Sequence, residues 1–528
     1  MVWEWEWVWT LVFSALACLG VKVVVGFVGE LKVRRRLPPG PLPLPLIGNL
    51  HQIGLEEMEP KLQKLHDKYG PIITVYQGTE RHVFVAGHET AHMALVKNGA
   101  AFGNRIPAAP ENFRLFGGNE SEPFIGFTDC GPLWRAFRRN LNTELLSSAK
   151  LTSFAGAREE VVQKLFRMLR KEAAGGTGAG GGVVRPLETF RFVLFALGMS
   201  MCFGGELLNI DEDEEMVLEQ MAAVRESHQN LGRFFVFHVF PRSGKYLFPK
   251  MWKEMMGIRR RLVRNLHPLV QARIRKMAER ENHAIECYAD SLIALKLPEG
   301  GKLKETEITT LCYEFLTAGV STVVSSLQWA MANLVKHPEV QSKVYEEINK
   351  TVGGGGGDQG GTIVKEEDLK KMPYVKAVVL ETLRKHPPIH TLLPHRVTEE
   401  MEMEGYSIPK DTFVNFMLVS MGRDPKVWED PMAFRPERFL HRGDEAPPVD
   451  LTGTREIKMI PFGAGRRVCP GVGIGTLHLE FLVANLVKQF QWSAVDGEEV
   501  DLTETMHNDI DYSMKTPLRA HIIPRKDN

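Results

Sequence analysis

The stretch PFGAGRRVCPGVGIG, Pro461 to Gly475, sets a single cysteine among glycines, prolines and two arginines. A thiolate that ligates a metal from a loop needs a backbone that bends tightly around the sulfur. Gly463, Gly465, Pro470 and Gly471 are the residue types that supply such a bend. Arg467, two residues before Cys469, offers a fixed cation to a carboxylate, and Phe462 offers an apolar cover for the sulfur. A lone cysteine in a turn is more often a small buried hydrophobe. Here five fixed positions of one pattern, F-x-x-G-x-R-x-C-x-G, are filled together by Phe462, Gly465, Arg467, Cys469 and Gly471. Two further groupings could do chemistry. Glu381 and Arg384 stand at i, i+3 in ETLR, just before His386-Pro387-Pro388; as an exposed pair they would contribute only ~0.2–0.5 kcal/mol. His88 and His92 in GHETAHM flank Glu89 with the H-E-x-x-H spacing that puts two zinc ligands and a general base on one helix face. No third ligand follows at the extended spacing, so zinc hydrolysis is a remote alternative.

These residues need elements to position them. Helical periodicity runs through Glu159–Lys171, Arg259–Glu281, Glu305–Lys336, Pro338–Val352, Tyr374–Lys385 and Gly475–Phe490. Short β-like runs are few, PIITVYQG and RHVFVAG near residues 71–87 among them. The body, residues 50–528, therefore reads as one large, mainly α domain with a minor sheet. Two glycine-rich stretches, Gly175–Gly182 and Gly353–Gly361, read as surface insertions, because neither leads into Gly-Lys-Ser/Thr as a phosphate loop would. Before the body, LPPGPLPLPLIGN (37–49) is too rich in proline for a helix and reads as a stiff extended hinge. Residues 1–36 read as a membrane anchor and its basic flank. From Val8 to Val28 there are 21 residues with Lys22 as their only charge, about the length that spans a bilayer. Trp3, Trp5, Trp7 and Trp9 suit the lipid–water interface, and Lys32, Arg34, Arg35 and Arg36 place the following body in the cytosol. Net charge is zero, from 65 Lys+Arg against 65 Asp+Glu, which gives no case for nucleic-acid binding. Six cysteines without a C-x-x-C pair exclude a disulfide scaffold and fit reduced thiols.

The Cys469 pattern resembles the haem-binding loop of the cytochrome P450 family, and other motifs follow in that family's order. Glu381 and Arg384, with Arg438 from PMAFRPERF, match a buried Glu-Arg-Arg cluster that is structural in the family. Trp134 and Arg138 in LWRAFRR match a W-x-x-x-R pair that hydrogen-bonds haem propionates, and His395 in LLPHRVTEE matches a propionate-binding histidine. FLTAGVSTVVSSLQW resembles the distal helix: Ala318, Gly319 and Thr322 match, but Ser321 stands where an Asp or Glu is usual. The resemblance implies a P450 fold and a haem b (iron-protoporphyrin IX) ligated by Cys469. Trp134, Arg138, His395 and Arg467 would hold its propionates. Gly319 would make room for dioxygen, and Thr322 would handle protons, with Ser321 putting the usual proton route in doubt. It further implies a monooxygenase of apolar or amphipathic small molecules, anchored in the endoplasmic reticulum membrane by one helix and fed electrons by a separate NADPH–cytochrome P450 reductase. Arg135, Arg139 and Arg466 are candidate contacts for that reductase. A haem-thiolate isomerase or dehydratase, which needs no reductase, shares these features and is the alternative. The segment from Arg105 to Phe127, with Phe113, Phe116, Phe124 and Phe127, would roof the pocket together with His390–Leu393. Within the family the chain resembles plant microsomal (A-type) members, in particular a group that includes a chlorophyll-catabolite-deformylating oxygenase; the finer match assigns no substrate.

Overall fold

A computed structural model describes the chain except residues 1–13, 15–20, 22–24, 27, 31–32, 55–57, 106–123, 176–181, 231, 235, 240–242, 280–283, 353–362, 441–448, 508–510 and 526–528. The architecture is mainly helical with several small sheets. Most of the Val8–Val28 span lies outside the described residues, as do most of both glycine-rich stretches. Among the described residues, one helix, Glu305–Lys336, is long and apolar enough to cross a membrane, and 56% of its apolar window is buried inside the fold. That burial marks it as a core helix.

The chain divides into two compact units. The smaller draws on residues 1–106 and 392–417 and is built on a 5-stranded sheet. Its strands run in the order Ile72–Gln77, Glu80–Val85, Phe413–Phe416, His395–Arg396 and Asn104–Arg105. The second and third pair in parallel and the others antiparallel. Ile73, Val75 and Phe84 are buried from this sheet together with Ile53, Leu62 and Met417. The proline-rich segment is not a free hinge. Thr74 N–H donates to the Pro39 carbonyl at 2.8 Å, Asn49 N–H to the Tyr76 carbonyl at 2.7 Å, and Tyr76 N–H to Asn49 Oδ1 at 2.9 Å. Proline removes donors but leaves carbonyls, and Asn49 supplies what the prolines lack, so the segment lies along the outer side of the first strand. Gly40 permits this approach, since a Cβ there would meet the Thr74 carbonyl oxygen at 2.0 Å.

The larger unit, residues 107–391 and 418–528, is organised around Glu305–Lys336. The second half of this helix is buried without interruption from Val323 to Val335. Leu187–Phe203, apolar on nearly every side, packs across it. Gly198 makes the crossing close: a Cβ there would lie 3.1 Å from Leu316 and 3.3 Å from Val320. Helix Pro373–Lys385 and helix Val472–Gln489, which follows Cys469, pack against it as well. Buried polar side chains tie distant segments together. Gln341 donates to the carbonyls of Leu334 and Trp492 and accepts the Trp492 N–H, and Asn485 exchanges hydrogen bonds with the Val364 backbone.

Candidate active site

The cysteine loop begins with a turn in which Gly463 and Gly465 sit at φ 70° and 68°, the left-handed region that favours glycine. A short 3-10 turn, Gly465–Arg467, follows. It brings Cys469 N–H onto the Phe462 carbonyl at 2.8 Å and the Gly471 N–H onto Cys469 Sγ at 3.3 Å. Gly471 itself has φ −83°, open to any residue, so it does not make the bend expected of it. A Cβ there would make ordinary contact with Sγ at 3.5 Å, so what Gly471 gives the sulfur is its backbone N–H. Burial pushes the Cys469 thiol up, opposed by the Gly471 N–H and the Arg138 guanidinium. A sulfur so placed becomes a thiolate readily only against a further positive charge, which a metal centre supplies.

Three predicted residues gather beside this loop. Arg138 donates to the Val468 carbonyl. Arg467 donates from Nη1 to the Ile125 carbonyl at 3.1 Å and from Nη2 to the Thr128 carbonyl at 2.5 Å, and its guanidinium stacks 4.6 Å from the Trp134 ring. Trp134 is buried, yet its Nε1–H has no hydrogen-bond partner. An orphaned buried donor is costly and rare. Together with two flanking guanidiniums, it fits an anionic group such as a haem carboxylate. His395 stands in the smaller unit, buried, with Nδ1–H donating to the Phe102 carbonyl at 2.7 Å. Arg135, Arg139 and Arg466 are exposed.

Glu381, Arg384 and Arg438 form one buried cluster. Arg384 donates to Glu381 Oε2 from Nε at 2.7 Å and to Oε1 from Nη2 at 2.8 Å, and Arg438 Nε donates to Oε1 at 3.1 Å. The remaining donors are satisfied by backbone: Arg384 reaches the Gly422 and Pro431 carbonyls, and Arg438 those of Glu429 and Asp430. Arg435 N–H adds a further bond to Glu381. Full pairing is what makes such a buried charge group tolerable.

On the central helix, residues Thr317–Thr322 form a partly exposed window between the buried stretches on either side. A Cβ on Gly319 would meet nothing nearer than the Phe315 ring at 3.9 Å, so open space adjoins the backbone there. Thr322 Oγ1–H donates to the Ala318 carbonyl at 2.8 Å and Ser321 Oγ–H to Thr317 at 3.0 Å. Both hydroxyls thus spend their proton on the helix and keep acceptor capacity. Of the expected roof, Phe113 and Phe116 lie outside the described residues, while Phe124 and Phe127 pair with ring centroids 5.5 Å apart. His390 is buried and stacks on Tyr512 at 3.3 Å. His88 and His92 flank Glu89 on a five-residue helix, and among the described residues no three His, Cys, Asp or Glu side chains are grouped to hold a metal ion.

One residue escaped sequence reasoning. Glu314, on the central helix, accepts the Ile125 N–H and the Gly126 N–H, each at 2.7 Å. The signal was available, since Glu314 is the one charged side chain between Ile308 and Val335.

A family model described as Cytochrome P450 matches residues 38–521. The chain is 40% identical to "Cytochrome P450 89A9" of Arabidopsis thaliana over 98% of its own length and 99% of that protein's. It is 32% identical to the Flavonoid 3'-monooxygenase of Arabidopsis thaliana, covering 93% of this chain and 92% of that one. With "Cytochrome P450 98A1" of Sorghum bicolor it shares 30% identity over 97% and 96%.

Proposed function

The chain belongs to the cytochrome P450 family, whose plant members it resembles along its whole length, and from that premise we propose how this oxidoreductase works. It is a microsomal haem-thiolate monooxygenase that inserts one atom of dioxygen into an apolar or amphipathic small molecule and reduces the other to water. Haem b, when bound, supplies the oxygen chemistry. Cys469, held by the glycine turn and the Gly471 N–H, would ligate its iron. Trp134 Nε1–H, Arg138, Arg467 and His395 would hold its propionates. Gly319 would leave room for dioxygen, and the Thr322 and Ser321 hydroxyls would accept hydrogen bonds from water that carries protons to that place. Phe124 and Phe127 help exclude bulk water from the pocket. Electrons come from NADPH–cytochrome P450 reductase, with Arg135, Arg139 and Arg466 as contact candidates. Residues 8–28 anchor the chain in the endoplasmic reticulum membrane with the body in the cytosol.

The observation that carries the reading is the Cys469 loop, with its bent backbone, sulfur-directed N–H and neighbouring unpartnered Trp134 N–H. The test is a substrate screen of plant extracts with reductase-containing membranes, read by mass spectrometry. Products that appear only with NADPH and reductase are expected; a haem-loaded protein that turns substrates over without either would instead be an isomerase or dehydratase. Ser321 in the acid's usual place is what keeps that second reading open. Deleting residues 1–36 should abolish resistance to alkaline carbonate extraction while haem binding persists. Extraction of the intact chain by carbonate would remove the anchor assignment.

A further inference from the structure

The helix that carries Glu381 and Arg384 ends in a lysine sealed into the fold without an anion of its own. Lys385 is 7% exposed. Among the described residues its ammonium has no hydrogen bond and no ion pair; Nζ lies over the Phe434 ring, 6.0 Å from the centroid. Lysine is almost never buried to this degree unless it is paired. The carboxylates near it are spent elsewhere. Glu381, one turn back on the same helix, accepts from Arg384, Arg438 and the Arg435 N–H, and Glu504 serves His386 and Arg423. Arg423 reaches the helix end too, its Nε donating to the Lys385 carbonyl at 2.9 Å. Four cations, Lys385, Arg384, Arg423 and Arg438, therefore share two carboxylates, Glu381 and Glu504. His386 and His390 also face Glu504 and are kept neutral by burial, so they add no charge.

We propose that Lys385 is a carbamylation site: carbon dioxide adds to its side-chain nitrogen and turns the unpaired cation into the third anion of the group. This goes beyond the monooxygenase reading and does not rest on it. The nitrogen lone pair forms the N–C bond, the electron pair of one C=O bond moves onto oxygen, and one proton passes from nitrogen to water. No oxidant or reductant is needed. Three conditions favour the addition. The amine must be uncharged to react, and burial lowers the Lys385 pKa to about 8; Glu381 and Glu504 oppose the shift, while Arg384 and Arg423 reinforce it. The reagent must be small and uncharged to enter an enclosed place, and carbon dioxide is both. The product must be welcome where it forms. As a carbamate, Lys385 leaves Arg384, Arg423 and Arg438 facing three anions, so crowding of like charge gives way to balance.

The test uses the full-length, haem-loaded protein equilibrated at pH 8 with isotopically labelled bicarbonate, whose dissolved carbon dioxide is the probe. Triethyloxonium then fixes any carbamate as its ethyl ester for peptide mass mapping. The labelled adduct should appear on Lys385, and at least about tenfold less on exposed lysines, because an ordinary lysine holds far less free amine at that pH. Lowering the pH to 6.5 should reduce the adduct several-fold, since the amine is then held as ammonium. At pH 8 bicarbonate should also raise the unfolding temperature by a few degrees, and sodium chloride of equal ionic strength should not. Lys385→Met, which keeps the length of the side chain and removes the amine, should lose both the adduct and the response to bicarbonate. No label on Lys385, or label spread evenly over the lysines, overturns the proposal. So does a stabilisation that chloride reproduces with no adduct formed, which would mark a bound anion instead. Should the variant fail to fold, the mass map of the wild type decides alone. None of these results depends on turnover, so they leave the monooxygenase reading to its own test.

Discussion

The Glu381–Arg384–Arg438 cluster and the Thr317–Thr322 window share one unit of the molecule and treat their polar groups in opposite ways. In the cluster, all three side chains are bound to one another or to named carbonyls, and Glu381 and Arg384 have no exposed side-chain surface. In the window, two hydroxyls bond only backwards along their own helix, and open space lies beside Gly319. A closed network of charges has one arrangement of low energy and suits a scaffold. A row of self-satisfied hydroxyls beside empty space costs little to rearrange and suits a place where small molecules come and go. Rigidity is concentrated in the charge cluster, and adaptability beside the open space at Gly319.

Experiments that strike each side should separate these two characters. The largest effect belongs to Cys469→Ala, which should abolish the thiolate-type spectrum of the reduced carbon monoxide complex, whereas Cys312→Ala should keep it. The reverse result would move the ligand assignment. Next comes Arg384→Ala, which leaves Glu381 charged and buried. It should cost about 3–5 kcal/mol and appear as a lower unfolding temperature and loss of haem-loaded protein. A third test uses acid. Burial lowers the pKa of His386 to about 4 and of His390 and His478 to about 3, from 6.5. Between pH 6.5 and these values the unfolded chain binds protons that the folded chain refuses, so stability falls as pH falls, by up to ~1.4 kcal/mol per pH unit for each histidine. Glu314 and Glu480, raised to about 7, work the other way between pH 4.5 and 7 and soften the slope. His478→Phe should flatten the acid limb of a denaturation series; an unchanged limb would mean that this ring is protonated within the fold. The smallest effect is expected in the window. Ser321→Asp should raise product formed per NADPH on a simple apolar probe and lower released hydrogen peroxide, without a change in unfolding temperature. If the wild type is already tightly coupled on several unrelated probes, the missing acid is not limiting.

Much of this was legible in the sequence where partners are close along the chain. The bend at Gly463 and Gly465, the Glu381–Arg384 pair and the limits of Glu305–Lys336 all follow from local spacing. What escaped depends on chain segments far apart. Glu314 meets amides 188 and 189 residues away, and Gln341 meets Trp492 across 151, with no motif to announce either. Leu187–Phe203 was missed because a helix buried on nearly every side has no polar face and hence no period to detect. Gly471 shows a subtler failure: a glycine in a motif does not by itself announce a bend, since its φ of −83° is open to any residue.

The proline-rich segment beside the first strand has a consequence for handling the protein. Ile72–Gln77 is the outermost strand of its sheet, and an uncovered outer strand is a template on which another chain can assemble. Pro39 and Asn49 occupy backbone groups of Thr74 and Tyr76 that would otherwise face outward, and the neighbouring prolines offer a visiting chain few N–H groups with which to continue the sheet. A chain shortened past Asn49 would shed this cover, and a bared strand edge would then add to its tendency to precipitate.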